Sequence, residues 1–194
     1  DRGGTFTDCI GLSPEGTYEV AKILSSDDAP AEGVREILSR FEEPEVDSCK
    51  VRMGTTVATN ALLERRGVPT ALFTNIGLGD VLEIGTQERP DLFSLRINKP
   101  EPLAKCVMEI NGRIDQEGKD FEERDESEVR AKLRSARDMG IQSVAILQMH
   151  AYQDSEWEKR LGDLAREEGF ESISLSHEVA PELGFLSRGE TTVA

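Results

Sequence analysis

Asp1-Arg2-Gly3-Gly4-Thr5-Phe6-Thr7-Asp8 places two carboxylates, a glycine pair and two hydroxyls within the first eight residues, and an apolar, β-prone run follows at once. Adjacent glycines admit positive φ and let a ligand approach the backbone closely. Their N–H groups, with the Thr5 and Thr7 hydroxyls, suit phosphate oxygens, while Asp1 and Asp8 suit a cation and its waters. The same residues also suit a hairpin turn with polar edges, since Gly-Gly is a common hairpin connection. A functional turn at residue 1 needs an apolar strand before it. The chain is therefore expected to be a piece of a longer protein, lacking a first strand and a larger C-terminal part.

Working outward, strand and helix signals alternate. Residues 9–12 continue an extended segment, Ser13-Pro14-Glu15-Gly16 is a turn, and 18–24 reads as the returning strand of a hairpin. Residues 26–30 cap a helix over 31–41, with Val34, Ile37, Leu38 and Phe41 at helical spacing. After Pro44, a short strand over 50–53 ends at Gly54, and a helix runs from Thr55 through Leu63, with Arg65, Arg66 and Gly67 as stop signals. Residues 68–75 form an apolar strand and 80–84 a short helix.

A proline-rich loop (Pro90, Pro100, Pro102) leads to an extended segment over 105–115 and an acidic stretch over 117–128, which reads as a solvated turn and helix start. A helix over 127–139 stops at Gly140. Residues 141–149 are almost continuously apolar, as in a strand covered on both faces. Trp157, Leu161 and Leu164 mark a helix stopped at Gly169, and 171–175 is a further strand, giving a right-handed βαβ crossover. The pattern implies an α/β protein with a mixed sheet flanked by helices.

Gly54-Thr55-Thr56-Val57-Ala58-Thr59-Asn60 is the second chemical candidate. A strand stopping at glycine, with hydroxyls at a helix start, directs free N–H groups beyond the strand end, where an anion or carbonyl can bind. Threonine is equally suited to an ordinary N-cap. Asn60 lies one turn in and can reach the same opening. Ile84-Gly85-Thr86-Gln87-Glu88-Arg89 is a third glycine-polar turn, better suited to loop structure than to catalysis. His150 ends the buried strand and His177 follows another, and without companion ligands they make a weak metal case.

Composition narrows the function classes. The 194 residues carry a net charge of −15, which argues against a nucleic-acid partner, because that needs clustered Lys and Arg. An anionic nucleotide must then be held locally, by backbone N–H groups and a metal. No segment approaches the roughly 18 apolar residues that span a bilayer, so no membrane partner is expected and the cytoplasm is the expected compartment. Cys9, Cys49 and Cys106 are odd in number and far apart, which suits reduced thiols better than a disulfide framework or zinc site.

Taken together, 1–8, the run from Met53 to Arg65, Ile84-Gly85-Thr86-Gln87 and Ser174-Leu175-Ser176-His177-Glu178-Val179 resemble, in order, the N-terminal region of the hydantoinase A and 5-oxoprolinase family. Arg2 in the first motif, Arg52-Met53 before the Gly-Thr-Thr turn and Gly85-Thr86-Gln87 are most similar to the ATP-hydrolysing 5-oxoprolinases. The resemblance implies an actin-like, ribonuclease H-like ATPase fold, of which residues 1–194 form most of the first half, with an added βαβ-containing lobe. It implies ATP and Mg2+, with Asp1, Gly3, Gly4, Thr5, Thr7 and Asp8 at the phosphates and Asp1 and Asp8 on the metal. Gly54, Thr55, Thr56 and Asn60 would hold a lactam substrate, and Asp8, Thr55 and Thr56 would serve catalysis. The implied reaction converts 5-oxo-L-proline, ATP and water to L-glutamate, ADP and phosphate. The expected partners are the C-terminal half of the same enzyme and, at full length, further copies in a homo-oligomer.

Alternatives are an ATP-dependent hydantoinase, the ATP-using subunit of a ketone carboxylase, or a non-catalytic nucleotide-sensing or scaffold protein. Where relatives carry a Gly-Phe-Arg-Asp turn this chain has Gly77-Leu78-Gly79-Asp80, so any role of that arginine is in doubt. Around Gly184-Phe185-Leu186 the pattern is also less typical, although Arg188-Gly189-Glu190-Thr191 recovers an oxoprolinase-like spacing. Residues 1–194 alone are expected to have negligible ATPase activity.

Overall fold

Helix- and strand-forming segments of the kinds anticipated are present in a computed structural model that describes residues 1–41, 49–88, 93, 95 and 99–194. Pro44, Pro90 and Arg89, named above, lie outside the described residues. The chain divides into two units, residues 1–66 and 67–194.

In the first unit, β1 (Phe6–Leu12) and β2 (Tyr18–Leu24) pair antiparallel, from Phe6 opposite Leu24 to Leu12 opposite Tyr18. The reversal is closed by Ser13 N–H to Thr17 O and Gly16 N–H to Ser13 O, with Gly16 at φ +89°. Helix α1 (Ala29–Ser39), with Pro30 in its first turn, packs on the inner face of the hairpin. Two glycines permit that approach: a Cβ on Gly33 would lie 2.1 Å from Cys9 Sγ, and one on Gly11 2.2 Å from Ile37 Cγ2. Helix α2 (Val57–Leu63) follows its N-cap, Thr56. It ends at Leu63, as expected, and the stop falls on Arg65 in the left-handed region (φ 54°), with Arg66 N–H bonded back to Ala61 O. The strand expected over 50–53 is not formed. Val51 and Met53 are exposed, and pairing is confined to one parallel bridge between Arg2 and Thr55.

The second unit holds four parallel strands: β3 (Thr70–Asn75), β4 (Cys106–Ile110), β5 (Ser143–Leu147) and β6 (Ser172–Leu175), in the order β4-β3-β5-β6. Antiparallel and parallel pairing are both present, divided between the units. Helices α3 (Val81–Ile84), α4 (Glu126–Asp138), α5 (Glu156–Glu167), α6 (Ser176–Val179) and α7 (Phe185–Val193) accompany the sheet. Alternation along the central strands explains their unbroken apolar runs. Ala71, Phe73, Val144 and Ile146 enter the larger core with Val129, Leu133, Trp157, Leu161 and Leu164, whereas Leu72, Ala145 and Leu147 face the other way, against Leu82, Phe185 and Val193. Asp125 caps α4 by accepting the Ser127 and Glu128 N–H groups, and Gly140 and Gly169 follow α4 and α5 at φ +80° and +90°. Helices α6 and α7 were not foreseen. Helix α6 is four residues long, and α7 carries Gly189 and two threonines but buries Arg188, Gly189 and Thr192. No helix among the described residues is long and apolar enough to cross a membrane.

Helices α4 and α5 are also tied by charge. Glu168 accepts from Arg134 Nε at 2.9 Å and from Arg130 Nη1 at 3.0 Å, and Arg160 Nη2 meets Glu126 Oε2 at 2.7 Å. These arginines hold the Glu168 and Glu126 carboxyls below the ordinary glutamate value of 4.5. A pKa depressed on folding stabilises above the unfolded value, and that stabilisation is lost as pH falls through the folded one. The melting temperature is therefore expected to fall below about pH 4.5, and Glu168→Gln to flatten the dependence across a pH series. Leu161→Ala, which empties a site at 1% exposure, is expected to cost about 2–5 kcal/mol in denaturant unfolding followed by the single tryptophan, Trp157.

Candidate functional site

The opening octapeptide folds back on itself. Asp1 N donates to Asp8 O at 2.6 Å, Asp8 N to Asp1 O at 2.9 Å and Gly3 N to Phe6 O at 3.0 Å, leaving Gly4-Thr5 at the tip of a tight hairpin. Residues that exchange both bonds of an antiparallel pair carry their side chains on one face, so Asp1 and Asp8 stand side by side. Asp8 also lies opposite Lys22 in the β1–β2 ladder, with Lys22 Nζ 3.2 Å from Asp8 Oδ1. The result is a row of two carboxylates and an ammonium. Lys22 was missed in the sequence, although its period-two relation to Tyr18, Val20 and Leu24 places it on this outer face.

The glycine pair works differently from expectation. Neither Gly3 nor Gly4 has positive φ. What the backbone needs is room: a Cβ on Gly4 would lie 2.9 Å from Asn60 Nδ2, and one on Gly3 3.0 Å from Phe6 O. Thr7 also departs from its expected place at the ligand. It is 3% exposed, and its hydroxyl lies 3.0 Å from Ser25 Oγ, which donates to Gly3 O at 2.8 Å. An alternating strand that places Asp8 outside must place Thr7 inside. Thr5 is exposed at the tip, its carbonyl accepting from Ser25 N at 2.9 Å.

The second motif meets the first through the backbone. Arg2 N donates to Gly54 O at 2.9 Å and Thr56 N to Arg2 O at 3.1 Å, while Thr55 Oγ1 accepts from Val57 N at 3.2 Å. Asp1, Gly3, Gly4, Thr5 and Asp8 are thereby gathered with Gly54, Thr55, Thr56 and Asn60, across more than fifty positions of sequence. Thr55 and Thr56 are exposed and Asn60 half-buried against Gly4. No cluster of three or more His, Cys, Asp or Glu side chains able to hold a metal is found among the described residues. Magnesium is commonly held by one or two carboxylates, with phosphates and water completing its octahedron. Asp1 and Asp8 fit an ion of that kind and do not fit an all-protein cage.

The other candidates lie in the second unit. Gly85 and Gln87 both have positive φ, 58° and 60°, in a turn following α3. At the turn that lacks the arginine, Gly77 and Gly79 N–H groups donate to Glu109 Oε1 at 2.9 and 2.8 Å. A Cβ on Gly79 would lie 2.8 Å from that same oxygen, so Glu109 takes the space of a side chain there. His150 has φ 61°, beyond the end of β5, and His177 begins the α6 turn. Glu158, unremarked in the sequence, is fully buried and accepts from Gln148 N (3.0 Å), Ser176 Oγ (2.7 Å), His177 N (2.9 Å) and His177 Nδ1. Beside it, Arg188 is fully buried and donates to Gln148 O at 2.9 Å. Burial pushes the Arg188 guanidinium pKa down, against the opposing pull of Glu158.

A family model described as the hydantoinase/oxoprolinase N-terminal region matches residues 1–169. The chain is 38% identical over 238 residues to 5-oxoprolinase of Saccharomyces cerevisiae, covering 100% of this chain and 18% of that protein. It is 38% identical over 231 residues to 5-oxoprolinase of Dictyostelium discoideum, covering 99% of this chain and 18% of that protein. The chain thus spans about a fifth of the length of these curated relatives. Among solved structures, the ATP-dependent caprolactamase from Pseudomonas jessenii superposes with a TM-score of 0.84 at 29% identity, covering 100% of this chain and 30% of that one.

Gly4→Ala is expected to displace the Asn60 amide while the β1–β2 hairpin persists. The Asn60 side-chain resonances in an 15N correlation spectrum report it, and unmoved signals would show that the two motifs do not touch.

Proposed function

The chain belongs to the hydantoinase/oxoprolinase N-terminal family, and on that premise we propose that it is the phosphate-facing part of an ATP-dependent cyclic-amide hydrolase acting on 5-oxo-L-proline. The observation that carries this proposal is the pairing of Arg2 with Gly54 and Thr56, which sets the carboxylate pair and the Gly-Thr-Thr turn side by side.

The chemistry accounts for the use of ATP. A five-membered lactam is a resonance-stabilised, weakly electrophilic amide, and its ring-opened amino acid recloses readily. Phosphoryl transfer to the lactam oxygen makes the ring carbon electrophilic. Water then adds to that carbon and the C–N bond opens, the nitrogen leaving as the amine and the carbon remaining as an acyl phosphate, which a second water hydrolyses to glutamate and phosphate. In such transfers a protein supplies position and charge neutralisation.

Asp1 and Asp8 would hold the divalent ion, whose contribution when bound is to offset charge on the β- and γ-phosphate oxygens. The exposed Gly4-Thr5 tip offers its backbone N–H groups and the Thr5 hydroxyl to the nucleotide, and Lys22 adds a cation beside the carboxylates. Thr55 and Thr56 hydroxyls and the Asn60 amide are proposed to orient the lactam. Thr7 keeps the hairpin in place from its buried side through Ser25. The remainder of the longer protein would supply the adenosine contacts.

In the full-length protein, Asp8→Ala is expected to lower ATP turnover on the order of 100-fold or more, with the far-ultraviolet circular dichroism unchanged. Unchanged turnover in a folded variant removes Asp8 from the site. Phosphate release measured with 5-oxo-L-proline, a hydantoin, a ketone or no added substrate decides the reaction. Release dependent on 5-oxo-L-proline is expected, dependence on a hydantoin or ketone transfers the chain to those branches of the family, and nucleotide binding without release makes it a sensor or scaffold.

A further inference from the structure

Parallel α/β sheets bind ligands beyond the carboxyl ends of their strands, where connections leave in opposite directions. In the second unit that place lies between β3, whose next strand is β4 on one side, and β5, whose next strand is β6 on the other. Beyond the carboxyl ends of β4 and β5 is a cleft of about 400 Å3, lined by Arg113, Asp115, Gln116, Glu117, Phe121 and His150. That volume is at the lower end of the roughly 300–1,000 Å3 of small-molecule sites.

Its lining carries both signs of charge. The Arg113 guanidinium lies over the Phe121 ring at 5.6 Å and forms no hydrogen bond or ion pair among the described residues. His150 Nδ1 is 3.2 Å from the Tyr152 hydroxyl, which leaves Nε2 without a partner among the described residues. His150 is held at φ 61°, an unfavourable conformation for a side chain-bearing residue. Two residues earlier, Gln148 is locked on three sides: its side chain accepts from Asn75 Nδ2 at 2.7 Å, its N–H donates to Glu158 and its carbonyl accepts from Arg188. The buried network thus fixes the chain from which His150 projects.

Asp115 and Glu117 supply negative charge to the same lining, and His150 and Lys119 both act on Asp115. Asp115 Oδ1 accepts the Glu117 and Lys119 N–H groups at 2.8 and 3.0 Å, and these bonds hold its carboxyl below the usual range. Among the described residues Glu117 pairs with Lys119, in an ion pair of which both sides are largely exposed. A lining that mixes a guanidinium and an imidazole with two carboxylates matches neither a phosphate dianion, which the carboxylates repel, nor a bare metal ion, which the guanidinium repels. It matches a molecule that carries both signs.

We propose that this cleft binds a free α-amino acid, with its carboxylate on Arg113 and His150 Nε2 and its ammonium on Asp115 and Glu117. All the lining residues belong to the second unit. The cleft's connection with the proposed reaction, which alone rests on that reading, is that ring opening converts a neutral lactam nitrogen into an ammonium. A site that requires the ammonium separates L-glutamate from 5-oxo-L-proline and senses product.

Isothermal titration of the full-length protein with L-glutamate, glutarate and 5-oxo-L-proline tests the proposal. Saturable binding of L-glutamate is expected, with glutarate and 5-oxo-L-proline at least about tenfold weaker, a difference of about 1.4 kcal/mol. Arg113→Gln and, independently, the surface change Glu117→Gln are each expected to weaken L-glutamate binding by about tenfold or more. Absence of binding, equal binding of glutarate, or full affinity in a folded Glu117→Gln protein overturns it. Loss of binding in Asp8→Ala with retention in Arg113→Gln would assign the amino acid to the opening hairpin and also overturns it. The phosphate-release measurement is unaffected by any of these outcomes, so the cleft and the proposed reaction fail separately.

Discussion

The meeting of the two chemical motifs in the first unit depends on one short parallel bridge, in which Arg2 donates to Gly54 O and Thr56 donates to Arg2 O. Two backbone hydrogen bonds are individually modest, of order 1 kcal/mol each. Their effect is geometric, because they join segments separated by a hairpin and a helix. With the bridge made, Gly4 meets the Asn60 amide so closely that a Cβ cannot be fitted without movement. Without it, the carboxylate pair and the Gly-Thr-Thr turn are two unrelated polar loops. This constraint explains the glycine at position 4 better than conformational freedom does, since its φ is not positive.

The second unit is organised around a different cost. Its central strands are buried on both faces, so polar groups at their carboxyl ends must find partners within the protein. Glu158 meets that need by accepting from four donors, which joins the end of β5 to the start of α6. Removing the carboxylate would orphan several buried donors together, a heavier loss than one surface ion pair. The Glu109 carboxylate plays a related part at the Gly77–Gly79 turn, where it satisfies two N–H groups and excludes a side chain from position 79.

Much of this was legible in the residue order. Period-two alternation located β1 and β2, unbroken apolar runs located β3 and β5, and glycines at 140 and 169 marked true helix ends. Misses have physical causes. The 50–53 segment has β-prone residues but only a single backbone bridge nearby, so no strand forms there. Helix α7 contains poor helix formers and exists because its Arg188–Gly189 face packs on the sheet; a Cβ on Gly189 would lie 2.6 Å from Leu147 Cδ2. Thr7 shares the polar motif with Thr5 and Asp8, but strand alternation assigns it to the interior.

The sequence by itself determined the α/β character, the order of elements and the identity of the two chemical motifs, because periodicity, turn residues and glycine-hydroxyl clusters are local properties of the chain. Tertiary structure alone decided which of those residues meet. It paired Asp1 with Asp8, set Lys22 beside them, brought Asn60 to Gly4, and buried Glu158 and Arg188 under the carboxyl ends of the strands. These contacts rest on strand register and close backbone approach, which depend on segments far apart in sequence packing at once and leave no local signature to read.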